Sequence, residues 1–298
     1  MQTDKVTRWS VAREQGEAMK NTRQAIAMAG VAIFFGISRL VAAPIAVKLY
    51  ALDCGTVETK DIGFFSDTGD YDGKPGKFVD SCFLIVHPKG ILLWDTGLGD
   101  NLVGHPAEMP AAGVRFYETV SLASQLAQLK LDPQDITYLG ISHSHKDHTG
   151  NAALFLKSKW LIQQKEIDWA AAASPTDSAD AQLPALAKQA NIHPISGDYD
   201  VFGDGLVKIL TTPGHTPGHQ SLKITLEHSG VVILSGDLYH MRENFEHHRV
   251  PVFNSSRAET LASEDRIDKI LQNTRGRLVI QHDSRDFESL PKFPNYLD

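Results

Sequence analysis

The segment His143-Ser144-His145-Lys146-Asp147-His148 constrains this chain more than any other feature. It packs three imidazoles and a carboxylate into one short stretch, directly after the apolar run Ile136 to Ile141. His143 and His145 stand two apart at a strand end, where alternate residues share a face, so both rings can point the same way. Two imidazoles on one side make half of a tetrahedral zinc site. Asp147 and His148 add a carboxylate oxygen and a third ring. That is more than one ion usually takes from a contiguous segment, and a pair of ions is the simpler reading. A lone buried histidine is most often a hydrogen-bonded core residue. A polar loop crowded with four such groups does not fit that role.

Composition narrows the classes around this cluster. The chain has 298 residues, 42% of them hydrophobic, and a formal net charge of −7. Its Lys and Arg are scattered rather than clustered, which argues against a nucleic-acid partner. Cys54 and Cys82 are the only two cysteines. They read as two core thiols, with one disulfide as the alternative. Ala25 to Ser38 is an apolar run of signal-peptide length, preceded by Arg13, Lys20 and Arg23 and followed by small residues at Val41, Ala42 and Ala43. Residues 1–45 are therefore set aside as an N-terminal leader. Export to the periplasm is one reading of it; a plain N-terminal helix on a cytoplasmic protein is the other. The run is short for a membrane span, so no stable span is expected in the mature domain.

From Val47 onward strand-like and helix-like segments alternate without a break in composition, so residues 46–298 read as one domain. Phe83 to Val86 and Ile91 to Trp94 flank His-Pro-Lys-Gly as a hairpin. Leu122, Leu126 and Leu129 share a helical face within residues 117–131, and Ala152 to Phe155 begins another helix. Leu206 to Leu210 is a strand, and Leu222 to Leu226 pairs with Val231 to Leu234. Ser256 with Glu259 forms a capping-box start for a helix that Gly276 is placed to end. Leu278 to Gln281 is the last strand and delivers His282. Hairpin-rich halves with helices between them predict two packed sheets covered by helices.

His143-Ser-His145-Lys-Asp147-His148-Thr-Gly resembles the H-x-H-x-D-H signature of the metallo-β-lactamase superfamily, and the likeness runs from about Val47 to His282. It implies an α/β (α+β) fold, the αββα sandwich of that superfamily: two mixed sheets flanked by helices, with metals at one edge. It further implies His219 of the Gly-His-Thr-Pro-Gly-His loop as the next ligand, Asp237 as the bridge between ions, and His282 as the last ligand. One ion would see His143, His145, His219 and Asp237, and the other Asp147, His148, His282 and Asp237. His215, in its rigid Pro-Gly setting, better suits fixing the loop behind the ligands. Asp95 either orients a ligand histidine or caps a turn.

Two such ions share a water and lower its pKa toward about 7, which makes a hydrolase the expected class. An all-His/Asp shell accepts Zn2+ first, with Fe, Co or Mn taken by the same ligands. Thr212 to Ser221 and Glu243-Asn-Phe-Glu246 resemble the N-acyl-homoserine lactonases. The resemblance implies opening of a lactone ring by a metal-bridging hydroxide, with Asp147 helping a proton reach the leaving alkoxide. Members of that family often carry a tyrosine three residues after the bridging aspartate. His240 stands there in this chain and Tyr239 just before it, so either could face the substrate. An arylesterase, a phosphotriesterase-like enzyme or a glyoxalase-II-like thioesterase is the alternative use of the same site. The partner is a small lactone or ester. Residues 98–118 are expected to cover it, and a homodimer is implied by resemblance alone.

Overall fold

Strict alternation of buried residues along the strands sets the layers. In β1 (Lys48–Thr59), Leu49 and Ala51 face one way while Tyr50, Leu52 and Cys54 face the other. The same split recurs in β2 (Gly76–His87), where Phe83 and Ile85 oppose Cys82 and Leu84. The structure, a computed structural model, describes residues 46–172 and 182–298. The expected leader over residues 1–45 lies outside them.

Six further strands complete the first sheet: β3 (Gly90–Trp94), β4 (Ala107–Met109), β5 (Val114–Tyr117), β6 (Tyr138–Gly140), β7 (Lys159–Gln163) and β8 (Asn191–Ile195). They form an eight-stranded sheet in the order β4-β5-β1-β2-β3-β6-β7-β8. Pairing is antiparallel from β4 to β3 and parallel from β3 through β6 and β7 to β8. The second sheet holds β9 (Tyr199–Asp200), β10 (Val207–Thr211), β11 (Gln220–Leu226), β12 (Gly230–Leu234) and β13 (Arg277–Val279), ordered β13-β12-β11-β10-β9. Only the β12–β13 pair is parallel there.

Three apolar cores separate the layers. One lies between the sheets and joins Phe83, Trp94, Ile209, Leu222 and Leu234. A second packs the outer face of the first sheet on Leu122 and Leu126 of α1 (Leu122–Gln128). A third packs the second sheet on Ile267 of α6 (Arg257–Thr274). This helix–sheet–sheet–helix stacking is the αββα sandwich that the sequence predicts. Short helices fill the connections: α2 (Lys146–Thr149), α3 (Gln164–Ala172), α4 (Gln182–Ala187), α5 (Arg242–His247) and α7 (Ser284–Glu288). Among the described residues no helix is long and apolar enough to cross a membrane.

Several expectations change. The helix anticipated across residues 117–131 shrinks to α1, because Ser121 caps it by accepting the Ser124 N–H at 3.1 Å while Val114–Tyr117 pairs with β1 as a strand. Ala152–Phe155 is a single 3-10 turn rather than the start of a longer helix. Ser256 caps α6 as read from the sequence, but the left-handed residue at its other end is Arg275, at φ 52°, not Gly276. Cys54 and Cys82 are a disulfide, not two thiols. They sit on neighbouring strands, at the bulge where the β1–β2 register shifts after Asp53, which brings their Cα atoms to 5.8 Å.

Candidate active site

The parallel strands point their C-terminal ends at one edge of the sandwich, and the polar loops leave from there. β3 leads to Asp95, β6 to His143, β12 to Asp237 and β13 to His282. In open α/β sheets such an edge is where ligands bind.

One group at this edge comprises His143, His145, His215 and Asp237, and another comprises Asp147, His148 and His282. In each, one candidate ligand atom per residue lies within 4.8 Å of the others. The Asp237 carboxylate links them. Its Oδ2 is 3.5 Å from His143 Nε2 and 3.3 Å from His215 Nε2, while its Oδ1 is 3.1 Å from His148 Nε2 and 3.0 Å from His282 Nε2. Asp147, 29% exposed at its side chain, lies 3.9 Å from His148 Nε2 and 4.0 Å from His282 Nε2.

His219 does not join this ring, which corrects the sequence reading. It directly precedes β11 and is fully buried, and its Nε2 accepts the Asp237 backbone N–H at 2.9 Å. The ring nitrogen Nδ1 then carries the proton and donates to the Thr212 carbonyl at 2.9 Å. Both nitrogens are thus used to tie the Thr212–His219 loop to the Asp237 turn. His215 sits at the tip of that loop with Nε2 3.0 Å from His145 Nδ1. The residue set aside as a loop-fixing histidine faces the cluster, and the one taken as a ligand fixes the loop.

Two of the other rings are held through Nδ1, which turns their Nε2 toward the cluster. His148 Nδ1 meets Asp95 Oδ2 at 2.9 Å, and Asp95 also accepts from Ser142 N–H at 2.7 Å and Gln281 Nε2 at 2.6 Å. Asp95 is therefore the orienting carboxylate of the two roles open for it. His282 Nδ1 is fixed by the Val79 carbonyl at 2.9 Å. Burial keeps His143 and His215 well below the usual imidazole range, and holds His219 at about 4. Burial also opposes charge on His282, but the Asp237 carboxylate outweighs it and raises that ring to about 9. Asp237 is desolvated too, yet the surrounding histidines hold it well below the ordinary carboxylate range. His143 and His215 are thus neutral imidazoles beside a fixed anion. Against burial, the Asp237 carboxylate favours a proton on His148 and His282 that a divalent cation would displace. Together they are the donor set that such an ion takes. The residues present fit such a group.

Glu166, on the first turn of α3, has no counterpart in the sequence reading. It is fully buried and accepts from Ser144 N–H at 2.7 Å, Thr216 Oγ1 at 2.7 Å and Gly218 N–H at 3.0 Å. One carboxylate thereby joins both histidine loops. Gly218 must lack a side chain, since a Cβ there would come within 2.2 Å of the Glu166 nitrogen.

His240 and Tyr239 diverge as neighbours on an extended segment must. Tyr239 is buried against Phe245, with its hydroxyl turned toward Asp268 at 3.5 Å, on the far side from the cluster. His240 faces the cluster, with Nε2 3.0 Å from Asp237 Oδ2 and its ring packed on Phe65. A cavity of about 290 Å³ opens above these groups. Its floor is His145, Asp147, Asp237, His240 and His282, and its walls include Val57, Phe64, Phe65, Phe78, Val114, Phe116 and Phe253. Val114 and Phe116 come from the stretch expected to cover substrate. Phe64, Phe65 and Phe253 do not, although an aromatic pair inside the Gly- and Asp-rich segment 61–75 was a usable signal.

The comparisons with known proteins agree with this fold. The family model of the metallo-beta-lactamase superfamily matches residues 75–282. The N-acyl homoserine lactonase AttM of Azorhizobium caulinodans is 28% identical over 262 residues, covering 85% of this chain and 99% of that protein. The N-acyl homoserine lactonase AiiA of Bacillus thuringiensis subsp. kurstaki is 31% identical over 232 residues, covering 75% and 90%. Among solved structures, a quorum-quenching N-acyl homoserine lactone hydrolase superposes with a TM-score of 0.74 at 27% identity, covering 86% of this chain and 99% of the other. A structure of such a hydrolase with the product N-hexanoyl-L-homoserine at its catalytic metal centre gives 0.73, also at 27% identity, over 86% and 100%. With its αββα layers, its converging histidines and these relatives, the chain belongs to the metallo-beta-lactamase superfamily and is a hydrolase.

Proposed function

We propose that this chain opens the lactone ring of N-acyl homoserine lactones with two divalent cations, Zn2+ being the first candidate. One cation would be held by His143, His145, His215 and Asp237, and the other by Asp147, His148, His282 and Asp237. The observation that carries the reading is the Asp237 carboxylate, one oxygen turned to each group, on the polar floor of a cavity whose walls are largely apolar. A polar head on that floor and an aliphatic tail along the phenylalanine walls match an acylated lactone. Relatives supply the parallel: N-hexanoyl-L-homoserine at the catalytic metal centre of one, and N-decanoyl-L-homoserine at the active site of a Bacillus thuringiensis AiiA mutant.

When bound, the cations supply Lewis acidity and an activated water. The chain's own groups do the rest. His240 can donate to the lactone carbonyl oxygen as negative charge develops there. Water adds to the carbonyl carbon, the ring C–O bond breaks, and the alkoxide takes a proton that Asp147 can relay, since Asp147 is the most exposed carboxylate of the floor. The phenylalanines exclude water along the tail. Among the described residues no Lys or Arg lines the cavity, which disfavours the anionic thioester of the alternative reading. We further propose an exported protein, because the Cys54–Cys82 bond and the apolar run at residues 25–38 both suit an oxidising compartment.

The test is ring opening. Metal-loaded protein with C6 to C12 acyl homoserine lactones at neutral pH should release protons, and His240→Ala should lower kcat about 100- to 1,000-fold with metal content intact. Fast aryl ester or phosphotriester cleavage without lactone turnover would overturn the proposal.

A further inference from the structure

Asp80 lies on β2 between the two residues that grip the chain at His282. Val79 donates its N–H to the His282 carbonyl at 3.2 Å and accepts from His282 Nδ1 at 2.9 Å. Ser81 Oγ donates to the Gln281 carbonyl at 2.5 Å. Asp80 itself is 1% exposed, and among the described residues neither of its carboxylate oxygens has a hydrogen-bond partner. Buried carboxylates are normally paired or hydrogen-bonded, because desolvation otherwise makes them costly. The groups that act on Asp80 are His282, Asp147, His148 and Asp95. Two of these are themselves acids, and the rings of His148 and His282 are already engaged with Asp95 and Val79. His282 and His148 favour a carboxylate at this place, Asp147 and Asp95 oppose it, and burial outweighs the two rings, so the group stays undercompensated in the protein alone.

A divalent cation held by Asp147, His148 and His282 would compensate it, since opposite charges attract across several ångströms where the effective dielectric is low. We infer that Asp80 is a positioning carboxylate that strengthens cation binding in the Asp147–His148–His282 half of the site through its charge, without touching cation or substrate. The inference rests on the two-cation reading above. Valine at this position would fill the space without the charge, so the role belongs to the carboxylate and not to the strand.

Metal release tests it. Zn2+-loaded wild type, Asp80→Asn and Asp80→Val would be equilibrated against graded chelator, with ions per chain counted by mass spectrometry. Wild type should give up its ions in two steps. In both variants one ion should leave at a chelator concentration at least tenfold lower, with the other unmoved. The metal-free variants should melt at or above metal-free wild type, because an unpartnered buried carboxyl group is gone. Release curves that superimpose on wild type overturn the inference. So does a loss of melting temperature in the metal-free variants, which would make Asp80 a residue that holds the fold. Should Asp80→Val fail to fold, Asp80→Asn keeps the side-chain shape and carries the test. Wild type binding fewer than two ions would overturn the two-cation reading itself, a result distinct from two ions held equally in all three proteins.

Discussion

His215 and His219 are four residues apart in one loop, and the difference between them is which neighbours their nitrogens meet. His215 Nε2 lies 3.3 Å from the Asp237 carboxylate, whereas His219 Nε2 takes the Asp237 backbone N–H. Their replacements should therefore separate. Changing an outer partner of a metal site costs roughly 10- to 100-fold in metal affinity or activity, so His215→Ala, the loss of a facing ring, should exceed roughly 100-fold and drop an ion. His219→Ala should keep both ions and instead lose about 2–4 kcal/mol of stability, through a cavity and an orphaned buried N–H. Metal counting beside denaturant melts decides the pair, and the reverse pattern would reinstate His219 as the ligand. Sequence made the other facing residues legible because a strand-to-loop junction dictates their direction. It could not rank two histidines within a Gly-His-Thr-Pro-Gly-His loop, whose tip and base differ only in three dimensions. Glu166 was hidden for a similar reason: its three partners come from two distant loops.

At the scale of elements, the strand pairs and core faces follow from alternation, and the errors fall at ends and crosslinks. Arg275 closes α6 at φ 52°, a conformation that costs a side-chain-bearing residue roughly 1 kcal/mol. Arg275→Gly should recover most of that, read as a higher urea midpoint at unchanged slope; no gain would mean that contacts of Arg275 offset its backbone. Pattern placed the stop at Gly276 because glycine is the usual left-handed residue there. Cys54 and Cys82 escaped prediction because their approach depends on the β1–β2 register and its bulge. Their bond spans a sequence separation of 28. Constraint of the unfolded chain should make it worth about 3–4 kcal/mol. Cys54→Ala/Cys82→Ala should unfold at correspondingly lower denaturant, and wild type should match it only when reductant is present during unfolding, since both sulfurs are fully buried. The bond also borders the site: Leu98 donates to the Cys54 carbonyl at 3.1 Å, and Gly97 next to it accepts from Gly150 of the histidine loop at 2.8 Å.

For the whole molecule, acids buried away from the histidine cluster shape stability against pH. Glu118 is 4% exposed, with Oε1 accepting the Gly99 N–H at 2.8 Å. Burial raises its carboxyl to about 7, against the opposing Gly99 hydrogen bond and with help from Asp100 and Asp53. Glu264, under α5 and beside His248, is raised to about 7 by burial as well. An acid whose pKa is higher folded than unfolded binds more protons in the native state, so its presence costs nothing below the unfolded value near 4.5. Stability is lost as pH climbs from there through about 7, up to about 3 kcal/mol per group above that window. Neutral Gln at position 118 keeps an acceptor for Gly99 and has no proton to lose. Glu118→Gln should therefore match wild type at about pH 5 and melt progressively higher than it at about pH 6.5 and 8. Both proteins must be compared metal-loaded, because cation release at low pH would add a slope common to the two. If their melting temperatures run parallel across that range, Glu118 is not a source of the dependence, and Glu264→Gln becomes the variant on which the pH account stands or falls.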